Sequence, residues 1–156
     1  MTLAPTPFIL IFTGPILQTE VSVAFLIVRL GLAVVFFAHS AQQLIGWFGG
    51  NGIKATVTGW NERYGLPVWL CVIGVFTEFF GSFAMLLGLF TRFFALGLAI
   101  FMAVAIWKAH WKNGFFLARK AGEGNGIEFC LMIFLMALAI LIGGAGSISL
   151  DWALSQ

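Results

Sequence analysis

Residues 66–90 read LPVWLCVIGVFTEFFGSFAMLLGLF, and Glu78 is the one charged side chain in the run. A helix of that length extends about 37 Å at 1.5 Å per residue, enough to cross a hydrocarbon core about 30 Å thick. Pro67 suits a first turn, where its missing amide would have no partner in any case. Gly74, Gly81 and Gly88 fall at heptad spacing, which predicts a glycine seam that lets a second helix approach closely. The stretch is therefore predicted to be a transmembrane helix.

Working outward, a second apolar run covers Val21 to Trp47, a third follows the tight Thr91-Arg92 connection from Phe93 to Trp111, and a fourth runs from Ile127 to Ile142. The whole chain is 61% hydrophobic and 9% charged, with a mean hydropathy of +1.04. Soluble domains are about a quarter charged, so water is not the main solvent of this surface. The predicted fold is all-α: an integral membrane four-helix bundle of antiparallel, up-down spans, one membrane domain over residues 1–156. Met1 to Glu20 lacks a basic start, and its apolar run is broken at Gly14-Pro15. It reads as an interfacial or short re-entrant N-terminal lead-in rather than a cleaved signal. Residues 49–65 and 112–126 read as loops.

These loops and their flanks hold Lys54, Arg63, Lys108, Lys112, Arg119 and Lys120, against Arg92 and Arg29 on the other side. The asymmetry predicts cytoplasmic loops and outward-facing termini in a bacterial-type inner membrane. Eight basic and six acidic residues are too few for the clustered phosphate contacts of nucleic-acid binding. Cys71 and Cys130 form no Cys-x-x-Cys pair and are expected to be buried thiols.

An ionisable group at the bilayer centre costs roughly 2.5–3.5 kcal/mol even on the gentler insertion scale, so each one needs a partner or a purpose. Glu78 lies near the middle of its span, and Arg29 is deep enough in the first span to pair with it. Such a pair could be purely structural, offsetting burial and setting helix register. With Glu128, which starts the fourth helix where a carboxylate also suits the helix dipole, they form a predicted buried polar network. His39 and Gln43 stand four apart on one helix face, with Gln42 beside them and Trp47 one turn on. That face could hydrogen-bond a quinone carbonyl or a lipid headgroup, and it equally suits interhelical hydrogen bonds. His110 lies between Trp107 and Trp111, where interfacial anchoring is the simplest reading. The paired Glu-x-x-His spacing of di-iron bundles is absent, so no metal is expected. A loose internal repeat pairs Ala38-His39 and Gly50-Asn51-Gly52-Ile53 with Ala109-His110 and Gly124-Asn125-Gly126-Ile127, and would imply two related hairpins.

The order of these features resembles the DoxX family: Arg29, the run HSAQQLIGWFGG over 39–50, Thr77-Glu78 with Gly81, Leu87-Gly88-Leu89-Phe90-Thr91-Arg92, His110, Gly114-Phe115-Phe116 and Gly146 to Asp151. One departure is Ser40-Ala41-Gln42-Gln43, where the family commonly has Gly and then Gln-Lys, so a role for that lysine does not carry over to Gln43. The resemblance implies a four-helix membrane protein, associated in some relatives with quinone-linked oxidoreductase assemblies. No nucleophile constellation, nucleotide loop or haem motif is present, which favours a subunit over a free-standing enzyme. The expectation is a small subunit of an electron-transfer complex in the lipid bilayer with other membrane subunits. It would have no intrinsic cofactor and no catalytic residue, and its possible quinone ligand would meet His39, Gln43, Trp47 and His110. A purely structural assembly subunit is the alternative, and a small-molecule transporter is less favoured because no broken helices occur in matched positions.

Overall fold

A computed structural model describes residues 23–120 and 122–156; the predicted lead-in at Met1 to Glu20 lies outside them. The described residues are helical, with no strand among them. Helix α1 spans Val23–Ile45, α2 Gly52–Tyr64, α3 Val68–Leu87, α4 Thr91–Ala105, α5 Glu128–Gly143 and α6 Leu150–Leu154. Three helical stretches are long and apolar enough to cross a membrane: Val23–Ile45, Val68–Leu87 and Thr91–Asn113. The fourth apolar helix, α5, is shorter, about 24 Å along its axis at 1.5 Å per residue. The chain is an integral membrane protein.

Helix α1 packs most extensively on α3, α4 packs on both α3 and α5, and α1 touches α5 more lightly. Along the α1–α3 face, Arg29 lies beside Gly88, Phe37 stacks edge-on with Phe83, and Gln43 meets Glu78. The core between the helices is built from Leu32 and Phe36 of α1, Met85 of α3, Leu98 and Met102 of α4, and Ile133 and Ile140 of α5. Around it, Val34, Phe80, Ile100 and Ile142 stand exposed, as apolar side chains do when the surrounding solvent is lipid. Lipid tails are as apolar as these side chains, so close packing rather than expulsion from water holds the helices together.

The glycine seam is real at two of its three predicted positions. A Cβ on Gly81 would meet the Leu98 side chain at 2.9 Å and one on Gly74 would meet Phe101 at 3.1 Å, so both let α4 approach α3. Gly88 has a different task. It ends α3 in the left-handed region at φ 67, its amide donating to the Ala84 carbonyl at 2.8 Å, and any Cβ there would collide with the Arg29 guanidinium. Glycine is needed for both reasons.

Three sequence expectations change. Residues 49–65 are mostly helical rather than looped, because α2 carries apolar Ile53, Val57 and Trp60 on one side of an otherwise polar sequence. The third span does not end as a plain helix: α4 passes into a π-helical turn at Ile106–His110 and a 3-10 turn at Trp111–Asn113. The repeat is not echoed in helix order, since its first copy enters the polar α2 and its second enters the apolar α5.

Gly88→Ala is predicted to destabilise the protein by at least about 1 kcal/mol, the left-handed penalty alone, with the guanidinium clash adding to it. Gly59→Ala in α2, where a Cβ meets nothing within 4 Å, should leave the melting temperature unchanged or raised. Thermal denaturation of both variants in the same detergent checks the contrast.

Candidate functional site

Two groups of polar residues lie apart along the helices, one at the Gly88 end of α3 and one reaching from the middle of α3 toward its other end. At one end, α1 contributes Arg29, 1% exposed. Its Nη2 donates to the Ile148 carbonyl at 2.6 Å, and Asp151 supplies the opposing charge. Asp151 in turn closes the α3–α4 turn: its carboxylate accepts the Phe90 amide at 2.7 Å and the Thr91 amide at 2.9 Å, and its own amide donates to the Gly88 carbonyl at 2.8 Å. Those two amides stand at the start of α4, where the helix itself offers no acceptor and the dipole favours a negative charge. Ser149 caps α6 by accepting the Trp152 amide at 3.1 Å. The C-terminal segment is thus a clasp on the ends of α1, α3 and α4.

This arrangement corrects the expected Arg29–Glu78 pair. Arg29 sits beside Gly88, ten residues and about 15 Å along α3 from Glu78. Burial needed an acceptor near Arg29, and the C-terminal segment provides it locally. Glu128 also leaves the predicted network. It begins α5, and its Oε2 accepts the Leu117 amide at 3.1 Å, tying down residues 114–117, whose carbonyls at Gly114, Phe115 and Phe116 accept the Ile127, Glu128 and Gly126 amides.

Away from that end, a cavity of about 360 Å³ lies between α1, α3, α4 and α5, with α2, Leu117, Asn125 and Gly126 against it. Most of its lining is apolar or aromatic, including Phe36, Trp60, Phe101, Phe129 and Ile133. Of the sequence-predicted residues, His39, Gln43, Glu78 and His110 all reach it. Trp47 does not: it follows α1 in a 3-10 turn, 55% exposed, edge-on to Phe37 and Phe48.

Glu78 is 2% exposed, and its carboxyl takes the Gln43 side chain as hydrogen-bonding partner. That contact leaves Glu78 Oε2 and Gln43 Oε1 buried without a partner. His39 stands at the rim, exposed and facing the Phe129 ring at 6.4 Å. His110 is oriented by a 2.8 Å contact of its Nδ1 with the Asn125 carbonyl. The π-helical turn shifts the residues after Ala105, so that Lys108, Ala109 and His110 all line the cavity. Such turns recur at functional sites. Rims also open at exposed Ile73 and Ile100, toward the lipid-facing surface.

Sequence reading missed Trp60 and Tyr64, which line the cavity from α2. Their spacing of four on a half-apolar segment was the available signal. Cys71 and Cys130 also line it, both buried and free, as expected of thiols without a nearby pair. No His, Cys, Asp and Glu group suited to a metal ion occurs among the described residues.

The DoxX family matches residues 24–111, which carry Arg29, His39, Gln43, Glu78 and His110. The chain belongs to the DoxX family. Two uncharacterized proteins of Haemophilus influenzae are similar to this DoxX protein: one is 33% identical over 130 residues, 79% of this chain and 84% of its own length. The other is 28% identical over 137 residues, 83% and 82% of the two lengths. No solved structure matches.

Asp151→Ala is expected to destabilise the DoxX protein by about 1–2 kcal/mol, the usual cost of removing a side-chain acceptor from helix-start amides. Asp151→Asn should recover part of the loss, because its amide oxygen can still accept. Melting of the two variants against wild type in one detergent gives the ranking; equal melting of all three would remove the clasp.

Proposed function

We propose that this protein is a small subunit of an inner-membrane electron-transfer complex and holds a quinone-type ligand in the cavity between α1, α3, α4 and α5. The observation that carries this reading is the cavity itself: its volume falls within the range of small-molecule sites, and it is mainly apolar with a few convergent polar groups. A flat ring finds aromatic walls at Phe36, Trp60 and Phe101, and polar groups at His39, Gln43, Glu78 and His110. A long apolar tail has an exit at the Ile73–Ile100 rim, into lipid. No residue supplies redox chemistry of its own in this reading, so electrons pass to and from partner subunits.

The same reading places four membrane crossings in alternating directions as an antiparallel bundle, with the α2 and 112–126 side in the cytoplasm. Support comes from the loop charges and from the α1–α3 contacts, whose α3 numbers fall as the α1 numbers rise. A reporter fused after Gln156 should then be active only outside the cytoplasm.

The functional test is the quinone content of protein purified in mild detergent. Wild type should retain quinone, and His39→Ala should lose at least about tenfold in affinity, the worth of one hydrogen bond of about 1.4 kcal/mol. Trp47→Ala, outside the cavity, should retain it. Equal quinone retention by wild type and His39→Ala would count against the site, and assembly defects without any ligand would favour a purely structural subunit.

A further inference from the structure

The polar end of the cavity is asymmetric in a way that discriminates between ligands. Where Gln43 of α1 meets Glu78 of α3, the amide and the carboxyl satisfy one another once, and the atoms left over are both oxygens: Gln43 Oε1 and Glu78 Oε2. A buried acceptor without a donor is costly, and a ligand that cannot fill it does not recover that cost. Among the donor-bearing side chains that line the cavity, His39 stands at the rim, Lys108 beside the Trp107 ring, and His110 is held to Asn125.

We infer that the cavity favours an occupant that donates hydrogen bonds, namely the ring hydroxyl of a reduced, quinol-type ligand, because Gln43 Oε1, an acceptor whatever the protonation state of Glu78, is left buried and unfilled. This rests on the proposed quinone-type site and specifies which redox form it holds. A carbonyl oxygen at the same place would face two other oxygens when Glu78 is ionised; when Glu78 is protonated the carbonyl could accept from its O–H but would still not fill Gln43 Oε1. A hydroxyl donates to Gln43 Oε1 while its own oxygen remains free to accept. The opposite ring oxygen lies toward the rim, where His39 can serve it as donor or acceptor. The preference is therefore set by Gln43 together with Glu78, and the affinity for the ring as a whole by the aromatic walls.

The test is a pair of binding titrations on the full chain in lipid nanodiscs, with decylubiquinol under argon and decylubiquinone in air. Wild type is expected to bind the quinol about tenfold more tightly, the difference made by one well-placed hydrogen bond. Gln43→Leu should reduce that ratio to below about threefold while both forms still bind. Gln43→Glu, which keeps an acceptor at that position, should retain a quinol preference and guards against a Gln43→Leu variant that fails to fold. Equal binding of the two forms to wild type, or tighter binding of the quinone, overturns the inference and leaves the proposed site intact. Failure of both forms to bind overturns the site and the inference together.

Discussion

Arg29 is the constraint around which the rest of the protein is arranged. A guanidinium 1% exposed within an apolar span must find its partners inside the protein, because lipid offers none. It finds the Ile148 carbonyl and the charge of Asp151, which brings the C-terminal segment over the ends of α1, α3 and α4. Gly88 must then be glycine, since a Cβ would occupy the place of the guanidinium. Asp151 meets the first amides of α4 from the same position. One buried cation thus orders the connection between two spans and the end of a third.

The same arrangement sets the opposite cluster apart. Asp151 gives Arg29 its opposing charge, and Glu78 has the Gln43 side chain rather than a guanidinium as its partner. Two polar clusters about 15 Å apart along α3 therefore divide the work: one holds the helix ends together and the other borders the cavity. Packing reinforces the division. Gly81 and Gly74 draw α4 close to α3, while the π-helical turn at Ile106–His110 breaks the regular spacing and turns Lys108 and His110 to the cavity wall.

Much of this was legible in the sequence, and the failures have physical causes. The apolar runs that became α1, α3, α4 and α5 were readable because the bilayer demands long uninterrupted apolar stretches, and His39, Gln43, Glu78 and His110 stood out because polar groups there are costly. Depth alone could not tell which buried charges meet. Arg29 and Glu78 lie at depths that allow a pair, yet the groups that decide the matter, the Ile148 carbonyl and the Asp151 charge, lie about 120 residues away in sequence, where hydropathy is uninformative. Helix α2 escaped notice because its half-apolar pattern is diluted by Lys54, Asn61, Glu62 and Arg63, and the π-helical turn leaves no mark in periodicity. Trp47 was grouped with His39 and Gln43 on the assumption that the helix continued; α1 ends at Ile45 and Gly46 turns the chain away at φ 77.

The central claim is that the Arg29 clasp and the Gln43–Glu78 cavity are separate sites, the second of them occupied by a ring-shaped ligand. An experimental structure of the protein extracted with its native lipids tests it most directly. The account predicts Arg29 bound to the Ile148 carbonyl and flat non-protein density between Phe36, Phe101 and the Gln43–Glu78 pair. Arg29 turned to Glu78, with side chains closing the cavity, would contradict it.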